Sequence, residues 1–89
     1  MNYKEHPHLK FWQAGTAFHL DVRPMLEEGG EPYPHIMELV GQLESGQAIV
    51  VHALFEPKPL IEVLKRMEKK VEANRVAEEH WELQIKNPE

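Results

Sequence analysis

Four stretches of the chain have the hydrophobic pattern of β-strands. Residues 16–22, 69–76 and 81–86 alternate between apolar and polar side chains, which predicts strands with one buried face. Residues 47–54 are apolar on both faces around Ile49, as expected of a central strand. Only a short turn separates the last two stretches, so they are predicted to form a hairpin.

Apolar residues spaced three and four positions apart predict two helices, each beginning at a Pro-x-Pro sequence. The apolar stripes are Ile36, Leu39, Val40 and Leu43 in the first helix, and Leu60, Val63, Leu64 and Met67 in the second. The order is therefore β-α-β-α-β-β, with residues 23–30 as a loop. Right-handed crossovers place both helices on one face. We predict an α+β fold, a two-layer sandwich of a four-stranded mixed sheet and two helices.

The predicted domain covers residues 16–89, and residues 1–15 are predicted to be an irregular N-terminal arm because His6-Pro7-His8 interrupts regular structure. Three bulky apolar residues, Leu9, Phe11 and Trp12, lie near the end of this arm. Two interpretations are open for them. They pack back on the domain, or they form an exposed patch that supports a weak homodimer.

Composition excludes several classes of function. The chain has no cysteine, which excludes thiol and persulfide chemistry and favours the cytoplasm for a domain of 89 residues. The formal net charge of −5 argues against nucleic acid as a partner, because nucleic-acid binding needs a positive surface. No stretch has the ~20 apolar residues of a membrane span, so no membrane association is expected.

Three motifs, taken in order, resemble a known family. They are Leu20-Asp21-Val22-Arg23-Pro24, Gly30-Glu31-Pro32-Tyr33-Pro34 and Phe55-Glu56-Pro57-Lys58-Pro59-Leu60, followed by a closing strand that contains Trp81. The chain resembles the uncharacterised bacterial domain-of-unknown-function-2249 family, which is similar to the TusA/SirA-like sulfur carriers. The resemblance implies the SirA/TusA-like fold. In those carriers the sulfur-bearing cysteine begins the first helix; here Glu31 stands at that position, so the implied scaffold lacks sulfur-transfer activity.

A candidate site follows from a repeated Glu-Pro-x-Pro sequence at the two helix starts. In a β-α-β-α order both starts lie at the edge where the parallel strands end, and open α/β sheets bind ligands at that edge. The candidate binding residues are Asp21, Arg23, Glu31, Pro32, Pro34, His52, Phe55, Glu56, Pro57 and Pro59. The alternative is purely structural: the glutamates cap helices, and Asp21 with Arg23 fixes a loop.

Neither a metal site nor a catalytic residue is predicted. The six histidines show no HxxxH or HExxH spacing. Ser45 has no base near it in sequence, although Glu31 and Glu56 would form an acid–base pair if the helix starts met closely. We therefore expect a non-catalytic module without a cofactor that binds another protein or acts in regulation. The alternative is a module that binds an anion or metal, and the resemblance links such domains to redox or nitrogen-oxide metabolism.

Overall fold

The computed structural model describes residues 1–88, which form an α+β fold of five strands and three helices. The strands are β1 (Lys10–Ala14), β2 (Ala17–Asp21), β3 (Ala48–Ala53), β4 (Lys70–Ala77) and β5 (His80–Lys86). The helices are α1 (Arg23–Glu27), α2 (Tyr33–Val40) and α3 (Lys58–Arg66). None of these helices is long and apolar enough to cross a membrane.

The sheet is mixed and open, with the strand order β1-β2-β3-β5-β4. β2 and β3 are parallel, and the other neighbouring pairs are antiparallel. Because register partners share a face, Leu20, Val51 and Leu83 point to the same side of the sheet. These three residues belong to one apolar cluster with residues of all three helices. The helices therefore cover one face of the sheet, and the described chain leaves the other face open.

The fifth strand is the main difference from the sequence prediction of four. Lys10–Ala14, predicted to lie in the irregular arm, pairs with β2 as an antiparallel hairpin. Gly15 has φ +62° in the two-residue turn between them, a conformation that glycine adopts without strain. The pairing buries Leu9 and packs Phe11 against the core, whereas Trp12 stays on the open face.

Part of the predicted loop after β2 is also helical. Residues Arg23–Glu27 form the short helix α1, in which Pro24 occupies the first turn. The backbone N–H of Leu26 donates to the carbonyl of Val22 at 3.0 Å, and Met25 is buried. Sequence periodicity missed this helix because five residues give too few apolar repeats to define a stripe.

The core confirms most of the residues predicted to be buried. Phe18, Leu20, Val22, Ile36, Leu39, Leu43, Val51, Leu60, Leu64, Leu83 and Ile85 are all buried. The prediction was wrong for Met67, which is 42% exposed. α3 ends at Arg66, so Met67 is the C-cap residue and leaves the apolar stripe.

Candidate functional site

An apolar groove lies between the starts of α2 and α3, where the parallel strands β2 and β3 end. We call it the helix-start groove; its volume is about 320 Å³. Its lining combines core residues with the ends of the helices: Val22, Leu26, Gly30, Glu31, Pro32, Tyr33, Ile36, Val51, Ala53, Phe55, Pro57, Pro59 and Leu60. Five of the ten residues predicted from sequence therefore line one groove.

Two aromatic side chains among the lining residues of the helix-start groove are exposed. Phe55 is 53% exposed and Tyr33 is 40% exposed, although both are apolar enough to favour burial. Glu31 lies one residue before Pro32, the N-cap of α2, and its Oε1 accepts a hydrogen bond of 2.9 Å from the backbone N–H of Tyr33. The groove thus has an apolar floor, two exposed aromatic side chains and a carboxylate that already accepts a hydrogen bond from the backbone of α2.

The remaining predicted residues lie elsewhere. Glu56 faces Lys58 at 3.8 Å, and both are among the residues around a different depression beside α3. Pro34 is an exposed residue in the first turn of α2. The two Glu-Pro-x-Pro sequences therefore start the two helices, but only Glu31 of the two glutamates lines the groove.

Asp21 and Arg23 form an ion pair at the end of β2. Arg23 donates from Nε to Oδ1 at 2.9 Å and from Nη2 to Oδ2 at 2.8 Å, and its backbone N–H donates to Oδ1 at 3.1 Å. Burial alone would raise the pKa of Asp21, but the hydrogen bonds and positive charge of Arg23 outweigh it and lower this pKa below its ordinary value. The pair stays ionised near neutral pH and joins β2 to α1.

His52 lies on the open face of the sheet, in contact with two other histidines. We call His19, His52 and His80 the histidine row. His52 Nε2 lies 2.9 Å from His19 Nδ1, and His52 Nδ1 lies 3.0 Å from His80 Nε2. A neutral imidazole has one N–H and one lone pair, so His52 donates to one neighbour and accepts from the other.

Trp12 stacks on two of the three rings of the histidine row. The Trp12 indole stacks on His19 with centroids 4.9 Å apart and planes 8° apart, and it also stacks on His52 at 5.4 Å. His52 is only 7% exposed. Its burial, more than any nearby charge, lowers the pKa of His52, so the imidazole is neutral and keeps a lone pair at neutral pH.

Glu82 completes a group that could hold a metal ion. It lies directly opposite His52 in the β3–β5 register, two residues along β5 from His80. One ligand atom from each of His52, His80 and Glu82 lies within 4.8 Å of the other two. Sequence reasoning placed Glu82 on the outward face but did not join it to the histidines. Alternation along β2, β3 and β5 shows which polar residues point outward. It does not show which of them lie opposite one another, because that depends on the register between the strands.

These features define a class: a small α+β domain with helices on one side of an open mixed sheet, a groove at the helix starts and a histidine row on the bare face. The family model described as "Uncharacterized conserved protein (DUF2249)" matches residues 19–87, and the chain belongs to this family. The match begins at His19 and so includes the whole histidine row and the helix-start groove. Neither the curated proteins nor the solved structures contain a significant match to the chain.

Proposed function

We propose that this domain is a non-catalytic protein-binding module of the cytoplasm on a SirA/TusA-like scaffold, and that it acts through the helix-start groove. The observation that carries the proposal is the exposed pair Tyr33 and Phe55 beside an apolar floor. Aromatic residues are enriched at protein interfaces, where burying a ring removes a large apolar area from water. The partner is expected to present a short segment with one or two apolar side chains.

The size and chemistry of the groove support this kind of occupant. A volume of about 320 Å³ is at the lower end of ligand pockets, enough for one or two large side chains. Its floor consists of buried core residues such as Val51 and Ala53, which are already ordered. An ordered floor means that binding costs little rearrangement of the domain. The lining residues include no nucleophile paired with a base.

Site-specific photo-crosslinking tests the proposal. A photoreactive phenylalanine analogue replaces Tyr33 in one variant and Val76 in a second, and both are irradiated in native lysate. Val76 is a matched control because it is exposed to a similar extent, at 52%, but lies on β4 outside the groove. We expect the Tyr33 variant to form a discrete covalent product that the Val76 variant does not form.

A competition experiment decides whether the groove itself is responsible. Purified wild-type domain in excess should suppress the Tyr33 crosslink, and Phe55→Ser domain should suppress it at least tenfold less well, which corresponds to a loss of ~1.4 kcal/mol. Val76→Ser domain should compete as well as wild type. Equal competition by all three proteins, or a crosslink of equal strength from Val76, would contradict the proposed site.

The alternative function, binding of a small ligand, is favoured by a different surface. The histidine row lies on the opposite face of the sheet from the helix-start groove, and its nitrogens and Glu82 converge. That surface does not depend on a partner in the groove.

A further inference from the structure

The side chains of His52, His80 and Glu82 converge because of strand geometry. His80 and Glu82 are two residues apart on β5 and so share a face, and His52 lies directly across from Glu82 on β3. Side chains of direct cross-strand partners start roughly 5 Å apart, so long side chains at these positions reach a common point. Their ligand atoms lie within 4.8 Å of one another.

The spacing of the two imidazole nitrogens is close to that of two ligands on one metal ion. His52 Nδ1 and His80 Nε2 are 3.0 Å apart. Two nitrogens that bind one ion tetrahedrally at ~2.1 Å are separated by roughly 3.4 Å. The two nitrogens are therefore within about 0.4 Å of the spacing that one ion requires, and on binding each ring turns its lone pair from the other ring toward the ion.

His19 is placed to orient the ligand His52. If the ion binds Nδ1 of His52, the remaining proton must sit on Nε2, which lies 2.9 Å from Nδ1 of His19. Donation from the far nitrogen of a metal-bound histidine to a neighbouring acceptor is the usual outer-shell arrangement at metal sites. Trp12, stacked on both rings, restricts their rotation. The position of the His52 ring is thus restricted before an ion binds.

The charges around His52 also favour a cation. Its register partner on β5 is Glu82 and its register partner on β2 is Asp21, so one carboxylate lies on either side. Arg23 neutralises Asp21, which leaves the carboxylate of Glu82 as the negative ligand. Two imidazoles and one carboxylate match divalent ions of borderline softness, whereas Mg²⁺ and Ca²⁺ prefer oxygen ligands alone.

We propose that His52, His80 and Glu82 bind a divalent first-row transition-metal ion of the Zn²⁺ type on the open face of the sheet, with His19 as a positioning residue. Three protein ligands leave at least one coordination position for water or an external ligand. The site is independent of the helix-start groove, since the two lie on opposite faces of the sheet. It would make the open face a ligand-binding surface of the domain.

Calorimetric titration of the full chain with ZnCl₂ at pH 7 tests this proposal. We expect one ion per chain with a Kd tighter than ~0.1 mM. His80→Gln and Glu82→Gln should each weaken the Kd at least tenfold. The variant His19→Phe keeps an aromatic ring under Trp12 but removes the acceptor for the Nε2 proton of His52. It should weaken zinc binding by about tenfold.

The histidines near the N-terminus provide the control. The rings of His6 and His8 lie 5.8 Å apart, and His35 is 5.3 Å from His6, so this group is a competing place for a metal. The double variant His6→Gln, His8→Gln should retain the wild-type stoichiometry and affinity. Loss of zinc binding in that variant, with retention in His80→Gln, would overturn the proposal.

A measurement on the wild-type chain avoids any dependence on the folding of variants. In ¹⁵N-labelled protein, imidazole NMR distinguishes protonated nitrogens from those that bear a lone pair or a metal. With Zn²⁺ bound, His52 should be protonated at Nε2 and bound to metal at Nδ1, and His19 should have an unprotonated Nδ1. Unchanged His52 and His80 signals at saturating Zn²⁺, or a Kd weaker than ~0.1 mM, would show that the histidine row is a hydrogen-bonded structure only.

Discussion

Arg23 donates three hydrogen bonds to the carboxylate of Asp21, two from its guanidinium and one from its own backbone N–H. The pair is the point where β2 ends and α1 begins. The side chain of Asp21 is 8% exposed, so loss of its charge leaves few compensating contacts with water. The sequence predicted both as candidate binding residues, with the alternative that Asp21 and Arg23 fix the chain after β2. The structure shows the direct contact between them that this alternative requires.

Asp21→Asn should lower the free energy of unfolding by about 1–2 kcal/mol near pH 7, because the charge-assisted hydrogen bonds become neutral ones. The pKa of Asp21 is lower in the folded protein than its ordinary value. The stabilisation by its carboxylate is therefore fully present above the unfolded pKa of ~3.9 and is lost as pH falls through the folded pKa. Urea unfolding from pH 7 to pH 3 should show the difference between wild type and variant shrinking below about pH 4. A difference that grows on acidification would contradict the assignment.

Leu64→Ala should cost about 2–5 kcal/mol, because Leu64 has no exposed surface and its removal leaves a cavity between α3 and the sheet. Met67→Ala is the matched control. It shortens another long apolar side chain only three residues further along, but at a site that is 42% exposed, and it should change stability by less than about 0.5 kcal/mol. Chemical denaturation of both variants measures the difference in their free energies of unfolding. Similar losses of stability would mean that α3 packs on the sheet through a different face.

Glu68→Gly should stabilise the protein. Glu68 follows the C-cap of α3 with φ 62°, and the backbone bonds Lys69 N–H to Leu64 O and Glu68 N–H to Lys65 O form a Schellman motif. Glycine adopts this left-handed conformation without the steric cost that a side chain carries. The expected gain is about 1 kcal/mol, or roughly 4–8 °C in Tm for a domain of this size. Glu68→Ala keeps the Cβ and should give no such gain in a thermal melt.

Glu31→Cys should create a reactive thiol. Glu31 accepts a hydrogen bond from the Tyr33 N–H at the start of α2, so a thiolate there gains a donor and the positive end of the helix dipole. The pKa of the new thiol should fall below ~8.5, the value of free cysteine. Alkylation at pH 7 should be faster than in Glu72→Cys, an exposed position on β4. Equal rates would show that residue 31 does not lie at the positive end of the dipole of α2.

Wild-type protein, which has no cysteine, should accept no sulfur from a persulfide donor.

The local periodicity of the sequence determined the helical stripes, the alternating strands and most of the core. Ile36, Leu39 and Leu64 are buried because residues three and four apart share a helix face, a relation that needs no knowledge of the fold. This periodicity is a local property, which needs only one or two turns of helix to be seen. Where the element was short, as in α1 and β1, the pattern had too few repeats to be recognised.

The tertiary structure alone decided which side chains meet on the open face of the sheet. His19, His52 and His80 are separated by 33 and 28 positions and lie on three strands. Strand order places β5 beside β3, and register sets His52 opposite Glu82 rather than Trp81. A slip of one residue would turn each of these side chains to the other face, so no spacing along the chain encodes their contact. Packing of the helices on the sheet selects that register, because it buries Leu20, Val51 and Leu83 together and leaves the histidines on the outside.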